Sequence, residues 1–153
     1  MSETRTTPFR ILSLDGGGAK GFYTLGVLRE IEGMVGSPLS NHFHLIFGTS
    51  TGAIIAALLS LGESVDTIHG LYKKHVPSIM KQRTAVGKSA ALRKLATEVF
   101  GDKDFMAFKT AIGIVATHWE FERPMIFKNL QLQAHGQHGT FVPGFGCTIA
   151  HAV

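Results

Sequence analysis

Two glycine-framed loops constrain this chain more than anything else in it: Asp15-Gly16-Gly17-Gly18-Ala19-Lys20-Gly21 and Gly48-Thr49-Ser50-Thr51-Gly52. Each follows a short apolar run, residues 9–14 and 44–47, that reads as a buried strand, and each leads into a helical pattern. Two strand-loop-helix units in succession place both loops at one edge of a parallel sheet, where α/β proteins put their sites. The expected fold is therefore α/β, a parallel sheet flanked by helices. The second loop is a G-x-S-x-G sequence, which between a strand and a helix is a nucleophile elbow: a tight turn that pushes the Ser50 hydroxyl out of the sheet.

The spacing has a steric reason. A side chain on either flank of the turned serine would meet the neighbouring strand or the incoming helix, so Gly48 and Gly52 supply the missing volume. Ser50 then stands just before the amino end of the helix expected over residues 53–61, whose unpaired N–H groups favour negative charge. The first loop offers the complementary part, because Gly16, Gly17 and Gly18 expose backbone N–H groups without side-chain cover. One loop supplies an attacking oxygen, and the other supplies donors for the charge that attack creates. A G-x-S-x-G alone is equally a glycine-rich turn with a satisfied serine; its pairing with the G-G-G loop favours the catalytic reading.

The first loop also carries a rival. Gly16 to Gly21 fits G-x-G-x-x-G after a strand and before a helix, the context of a dinucleotide-binding fingerprint. Such a unit needs an acid near the end of the second strand to hold a ribose, and Phe47 and Gly48 stand there. Asp15 would also sit beside the pyrophosphate, an unfavourable neighbour for a dianion. A dinucleotide-binding domain is accordingly the weaker alternative.

At these residues the chain resembles the patatin-like acyl hydrolases, a family of serine lipases and phospholipases whose motifs take the forms D-G-G-G-x-[RK]-G and G-T-S-T-G. The resemblance implies that Ser50 is the nucleophile, that Gly16, Gly17 and Gly18 form the oxyanion hole, and that Gly48 and Gly52 frame the elbow. Lys20 stands where the family has a basic residue, which either pairs with lipid phosphate or holds the loop. The family works with a Ser-Asp dyad whose aspartate lies in a later D-G-[GA] motif; here no Asp follows Asp104, and the only D-G-G is the one in the first loop. Residues 1–153 thus resemble an amino-terminal portion of the domain, with residues 148–153 reading as the start of a helix before the missing motif.

What the resemblance implies for the complete protein is hydrolysis of lipid acyl esters of the phospholipase A or lysophospholipase type. Its substrate would be phospholipid or another acyl ester at a membrane surface, with no metal and no organic cofactor. Some similar bacterial members act in antiphage defence and are switched on by cyclic nucleotides, which makes a cyclic-nucleotide activator an expectation here. The competing expectation, from the missing aspartate, is a non-catalytic fragment or interaction module that keeps the first half of the fold.

The remaining stretches fill in the architecture. Leu25, Leu28, Ile31 and Val35 recur at three- and four-residue steps in a helix over residues 22–35, with Arg29, Glu30 and Glu32 facing out and Gly36-Ser37-Pro38 ending it. Ser64 caps the next amphipathic stripe, Val65, Ile68, Leu71, Tyr72 and Val76, which Pro77 is expected to stop. Residues 79–90 read as a mobile connection, 91–100 as a helix, and 111–116 and 124–127 as strands. The second of these strands runs into Phe127-Lys128-Asn129, and residues 131–140 read as a loop.

Composition adds limits. A chain of 153 residues that is 44% hydrophobic is enough for one domain with a real core. The single Cys147 excludes an internal disulfide and fits a reducing compartment; residues 1–8 lack the apolar core of a signal peptide, and the longest apolar run, 53–61, is too short to span a bilayer. The expected location is the cytoplasm, peripheral to a membrane. The formal charge of +4 is modest, but Lys73, Lys74, Lys81, Arg83, Lys88, Arg93 and Lys94 fall in one region, which reads either as a membrane-facing surface or as a solvated one. This middle region reads likewise as a lid or as ordinary helix packing. Nothing beyond charge supports nucleic-acid binding. His135 and His138 lack a neighbouring acid or cysteine for a metal, and His118 at the end of its strand is either a base or a solvent contact.

Overall fold

The computed structural model describes residues 8–118, 120–130 and 147–153. Four strands, β1 (Ile11–Leu14), β2 (Leu45–Thr49), β3 (Ala111–His118) and β4 (Arg123–Lys128), form one sheet in that order. The first three run parallel and β4 runs antiparallel to β3. The all-parallel expectation therefore holds for the part that carries the site, while the short link between β3 and β4 permits only a hairpin. Asn129 fixes that hairpin to the start of β3: its Oδ1 accepts from the Ile112 N–H at 2.9 Å and its Nδ2 donates to the Thr110 carbonyl at 3.4 Å.

Among the described residues five α-helices accompany the sheet: α1 (Gly21–Val35), α2 (Thr51–Ser60), α3 (Val65–Met80), α4 (Ala85–Phe100) and α5 (Ile149–Ala152). Helix α2 is apolar on every side because it is buried on every side; Gly52 and the residues from Ala53 to Ser60 are all enclosed. Its Ile55 and Leu59 join Ile46, Ile112 and Ile114 of the sheet, with Leu25 of α1, Ile68 of α3, Phe100 of α4 and Ile149 of α5, in one core.

Three departures from the periodicity have local causes. Glu32 does not face out: its Oε2 accepts from the Val65 N–H at 2.8 Å, capping α3 from α1, and Arg29 pairs with Asp66 at 2.7 Å beside it. Pro77 lies inside α3 instead of ending it. In the final turn its missing N–H removes a single bond, and its carbonyl still accepts from the Lys81 N–H at 3.2 Å. Residues 79–90 are not one loose connection but the last turn of α3, a short turn, and the first turn of α4 capped by Thr84, whose Oγ1 accepts from the Gly87 N–H at 3.0 Å. Most side chains there are exposed, so no apolar stripe marks the helix.

Candidate active site

The parallel pairing of Leu14 with Gly48 brings the carboxyl ends of β1 and β2 level, and with them the two glycine loops. The expectation that both loops share one edge is met in detail. An added Cβ at Gly16 would stand 3.0 Å from the Ser50 Cβ and 3.7 Å from its Oγ. Ser50 adopts φ 55° and ψ −126°, a left-handed conformation that a serine takes only under constraint. The constraint comes from the flanks. A side chain at Gly48 would collide with the Gly52 backbone, and one at Gly52 would collide with the Leu14 carbonyl and stand 2.6 Å from the Asp15 carbonyl oxygen.

Ser50 is exposed, and among the described residues its hydroxyl has no hydrogen-bond partner. It stands at the N-cap of α2, where the Ala53 N–H bonds the Ser50 carbonyl at 2.8 Å. The other expected donors are placed less simply. The Gly17 and Gly18 N–H groups both donate to the Thr51 Oγ1, each at 3.1 Å. Thr51 thereby ties the glycine loop to the elbow, with one neutral acceptor standing where two amide donors converge.

A second tie reaches the elbow from α3. The Tyr72 hydroxyl donates to the Thr51 carbonyl at 3.0 Å, and Tyr72 is 4% exposed. Burial raises its pKa to about 12, because an unsolvated phenolate is disfavoured, although the Thr51 side chain pulls the other way. Its ring packs edge-on against Phe22 at 5.6 Å, and it lies so close to Gly21 that an added Cβ there would stand 2.6 Å from it. Gly21, the last glycine of the first motif, is thus the seat of Tyr72.

An apolar cleft starts at these residues. Gly18, Thr51 and Tyr72 line one part of it, and Ile54, Leu58, Leu71, His75, Val76, Ile79, Met80, Leu92, Leu95 and Val99 line the rest, between α2, α3 and α4. The amphipathic stripe of α3 is therefore shared between the core and an open cleft.

Among the described residues, no hydrogen bond joins the other expected residues to Ser50. Lys20 is exposed in the 3-10 turn Gly18–Lys20 and, among the described residues, forms no ion pair. The His118 ring rests on Phe121 at 4.8 Å, with a buried Nδ1 that lacks a partner among the described residues. No described carboxylate or imidazole bonds Ser50, and His135 and His138 lie outside the described residues, as does the loop expected over 131–140. Cys147 is half-buried, and burial pushes its thiol pKa up. The residues that sequence reading missed are Thr51 and Tyr72. Thr51 sat in view inside the elbow, but nothing in the motif says where its hydroxyl points; Tyr72 read only as part of an apolar stripe.

A strained, exposed hydroxyl thus stands beside a loop of convergent amides at the mouth of an apolar cleft, an arrangement that suits nucleophilic acyl chemistry. Several known proteins are similar to the chain. The patatin-like phospholipase family matches residues 12–143. A cUMP-AMP-activated phospholipase of Escherichia coli is 63% identical over 144 residues, which cover 94% of this chain and 45% of that protein. A cGAMP-activated phospholipase of Pseudomonas aeruginosa is 30% identical over 131 residues, 78% of this chain and 39% of the relative. The human calcium-independent phospholipase A2-gamma is 39% identical over 79 residues, covering 51% of this chain and 10% of that protein. The chain spans less than half the length of these curated relatives. With its motifs, sheet order and elbow in accord with that match, the chain belongs to the patatin-like phospholipase family.

Proposed function

We propose that the protein carrying this chain hydrolyses acyl esters of phospholipid, with Ser50 as nucleophile. The observation that carries the reading is the left-handed Ser50 held against the Gly16–Gly18 backbone by glycines that admit no side chain. Ser50 Oγ attacks the ester carbonyl, its proton passes to a general base, and the tetrahedral oxyanion takes hydrogen bonds from the glycine-loop amides. An oxyanion accepts more strongly than a neutral hydroxyl, so it draws the Gly17 and Gly18 N–H groups away from Thr51 Oγ1 or shares them with it. The alcohol leaves with the proton, and water, activated by the same base, then frees the fatty acid and restores Ser50. In the patatin-like family that this chain resembles, that base is the aspartate of a later D-G-[GA] motif, which these 153 residues do not contain. The donor set of the site is amides and hydroxyls, which suits an oxyanion, and among the described residues no group of His, Cys, Asp and Glu gathers to hold a metal.

The relatives named for activation by cUMP-AMP and cGAMP favour a cyclic dinucleotide as the activator. The place of action is the cytoplasmic face of a membrane. No helix among the described residues is long and apolar enough to cross one, which fits peripheral attachment. The test is fatty-acid release from phospholipid vesicles by the full-length protein with and without cUMP-AMP. Activator-dependent release that falls by about a thousandfold or more in Ser50→Ala is the expected result. Equal release by wild type and Ser50→Ala would refute the assignment.

A further inference from the structure

Helices α3 and α4 pack as a hairpin, and between Asp66 and Glu98 they carry seven lysines and arginines and no acid. The rest of the chain has eight basic residues against all eleven acidic ones, so the positive charge of the protein resides on this hairpin. All seven are exposed, and among the described residues only Lys94 has an ion-pair partner, Glu98 at 3.9 Å. A merely solvated face mixes both signs, whereas this one does not.

Apolar side chains stand among these cations. At the hairpin tip, where Lys81, Arg83 and Lys88 lie, Met80 is 56% and Val86 81% exposed, and one turn further Leu92 is 39% exposed. Met80 and Leu92 also line the apolar cleft whose other end is Gly18 and Thr51, beside Ser50. The cleft thus runs from the exposed tip to the nucleophile. A soluble polyanion is recognised by charge and has no use for exposed Met and Val side chains or for an apolar passage; an anionic bilayer uses all three.

We infer that the tip of the α3–α4 hairpin docks on an anionic lipid bilayer, with Met80 and Val86 entering the interface among Lys81, Arg83 and Lys88, and that one acyl chain reaches Ser50 through the cleft opening there. This rests on the reading of the protein as a lipid acyl hydrolase. Each cation near an anionic surface strengthens attachment several-fold, and salt weakens it.

The experiment uses the full-length protein, a charge-reversed variant (Lys81→Glu with Arg83→Glu and Lys88→Glu) and, separately, Val86→Asp. Co-sedimentation is measured with vesicles of phosphatidylcholine alone and mixed with phosphatidylglycerol, and hydrolysis is followed on the same vesicles and on a soluble short-chain ester, all with cUMP-AMP present. The expected result is salt-sensitive binding of wild type to the mixed vesicles only. Both variants lose about tenfold or more of that binding and of vesicle hydrolysis, yet keep soluble-ester hydrolysis within about twofold. Wild type that ignores the mixed vesicles overturns the proposal, as do variants that bind like wild type. Binding lost on charge reversal but untouched by Val86→Asp overturns it too, since charge alone, with no apolar side chain entering the interface, would then hold the protein to the vesicles. Wild type that binds the mixed vesicles but hydrolyses neither substrate refutes the hydrolase reading and leaves the docking surface standing.

Discussion

Ser50 is the point at which sequence and backbone geometry meet. Its left-handed φ of 55° is unfavourable by about 1–3 kcal/mol and persists because the surrounding backbone leaves no alternative. Gly48 and Gly52 were legible in the sequence because their demand is local: the elbow cannot close around any side chain, whatever the rest of the fold does. The same geometry predicts a contrast between two glycines. Gly52→Ala drives a methyl group into the Leu14 and Asp15 carbonyls and should destabilise the protein by about 3 kcal/mol, whereas Gly26→Ala, in the exposed middle of α1 with open space around it, should stabilise it by about 0.5–1 kcal/mol. Urea midpoints of the two variants check both signs. Thr51 was not legible in this way, because its hydroxyl takes N–H donors 33 and 34 residues upstream, and only the sheet register brings them together.

Among the elements, α3 joins the elbow to the basic tip. Its amino end is capped by Glu32 of α1, its middle holds the elbow through Tyr72, and its carboxyl end forms the basic tip. The stripe of Val65, Ile68 and Tyr72 announced the helix but not its reach. Pro77 read as a stop because a proline removes a bond, and it is tolerated because it falls in the last turn; α4 began earlier than its apolar pattern because its first turn touches no core. Tyr72 yields a pH prediction with a definite sign. Its folded pKa of about 12 lies above the ordinary 10, so between these values the unfolded chain gives up the phenolic proton while the folded one keeps it. Its contribution is whole below pH 10 and is lost as pH rises towards 12, on the order of 2–3 kcal/mol across that window. Unfolding free energies of wild type and Tyr72→Phe, measured from pH 9 upwards, should show the steeper alkaline decline only in wild type.

At the scale of the whole molecule, the two motifs, the three parallel strands and the α/β class were readable from sequence because strand-loop-helix repetition at one sheet edge has few other solutions. The cleft between α2, α3 and α4 was not, since it depends on how separate helices pack, and the antiparallel direction of β4, which its short link to β3 dictates, has no mark of its own in the apolar pattern. Membership of the patatin-like phospholipase family fits the assembled site: an elbow serine, a loop of amides and an apolar cleft. The central claim is that Ser50 is the nucleophile of this site. Exposure of the full-length protein to a fluorophosphonate with cUMP-AMP present, followed by intact mass and peptide mapping beside Ser50→Ala, tests it most directly. The account predicts one adduct, on Ser50, absent from the variant. An adduct that persists in Ser50→Ala, or that maps to another residue, would contradict it.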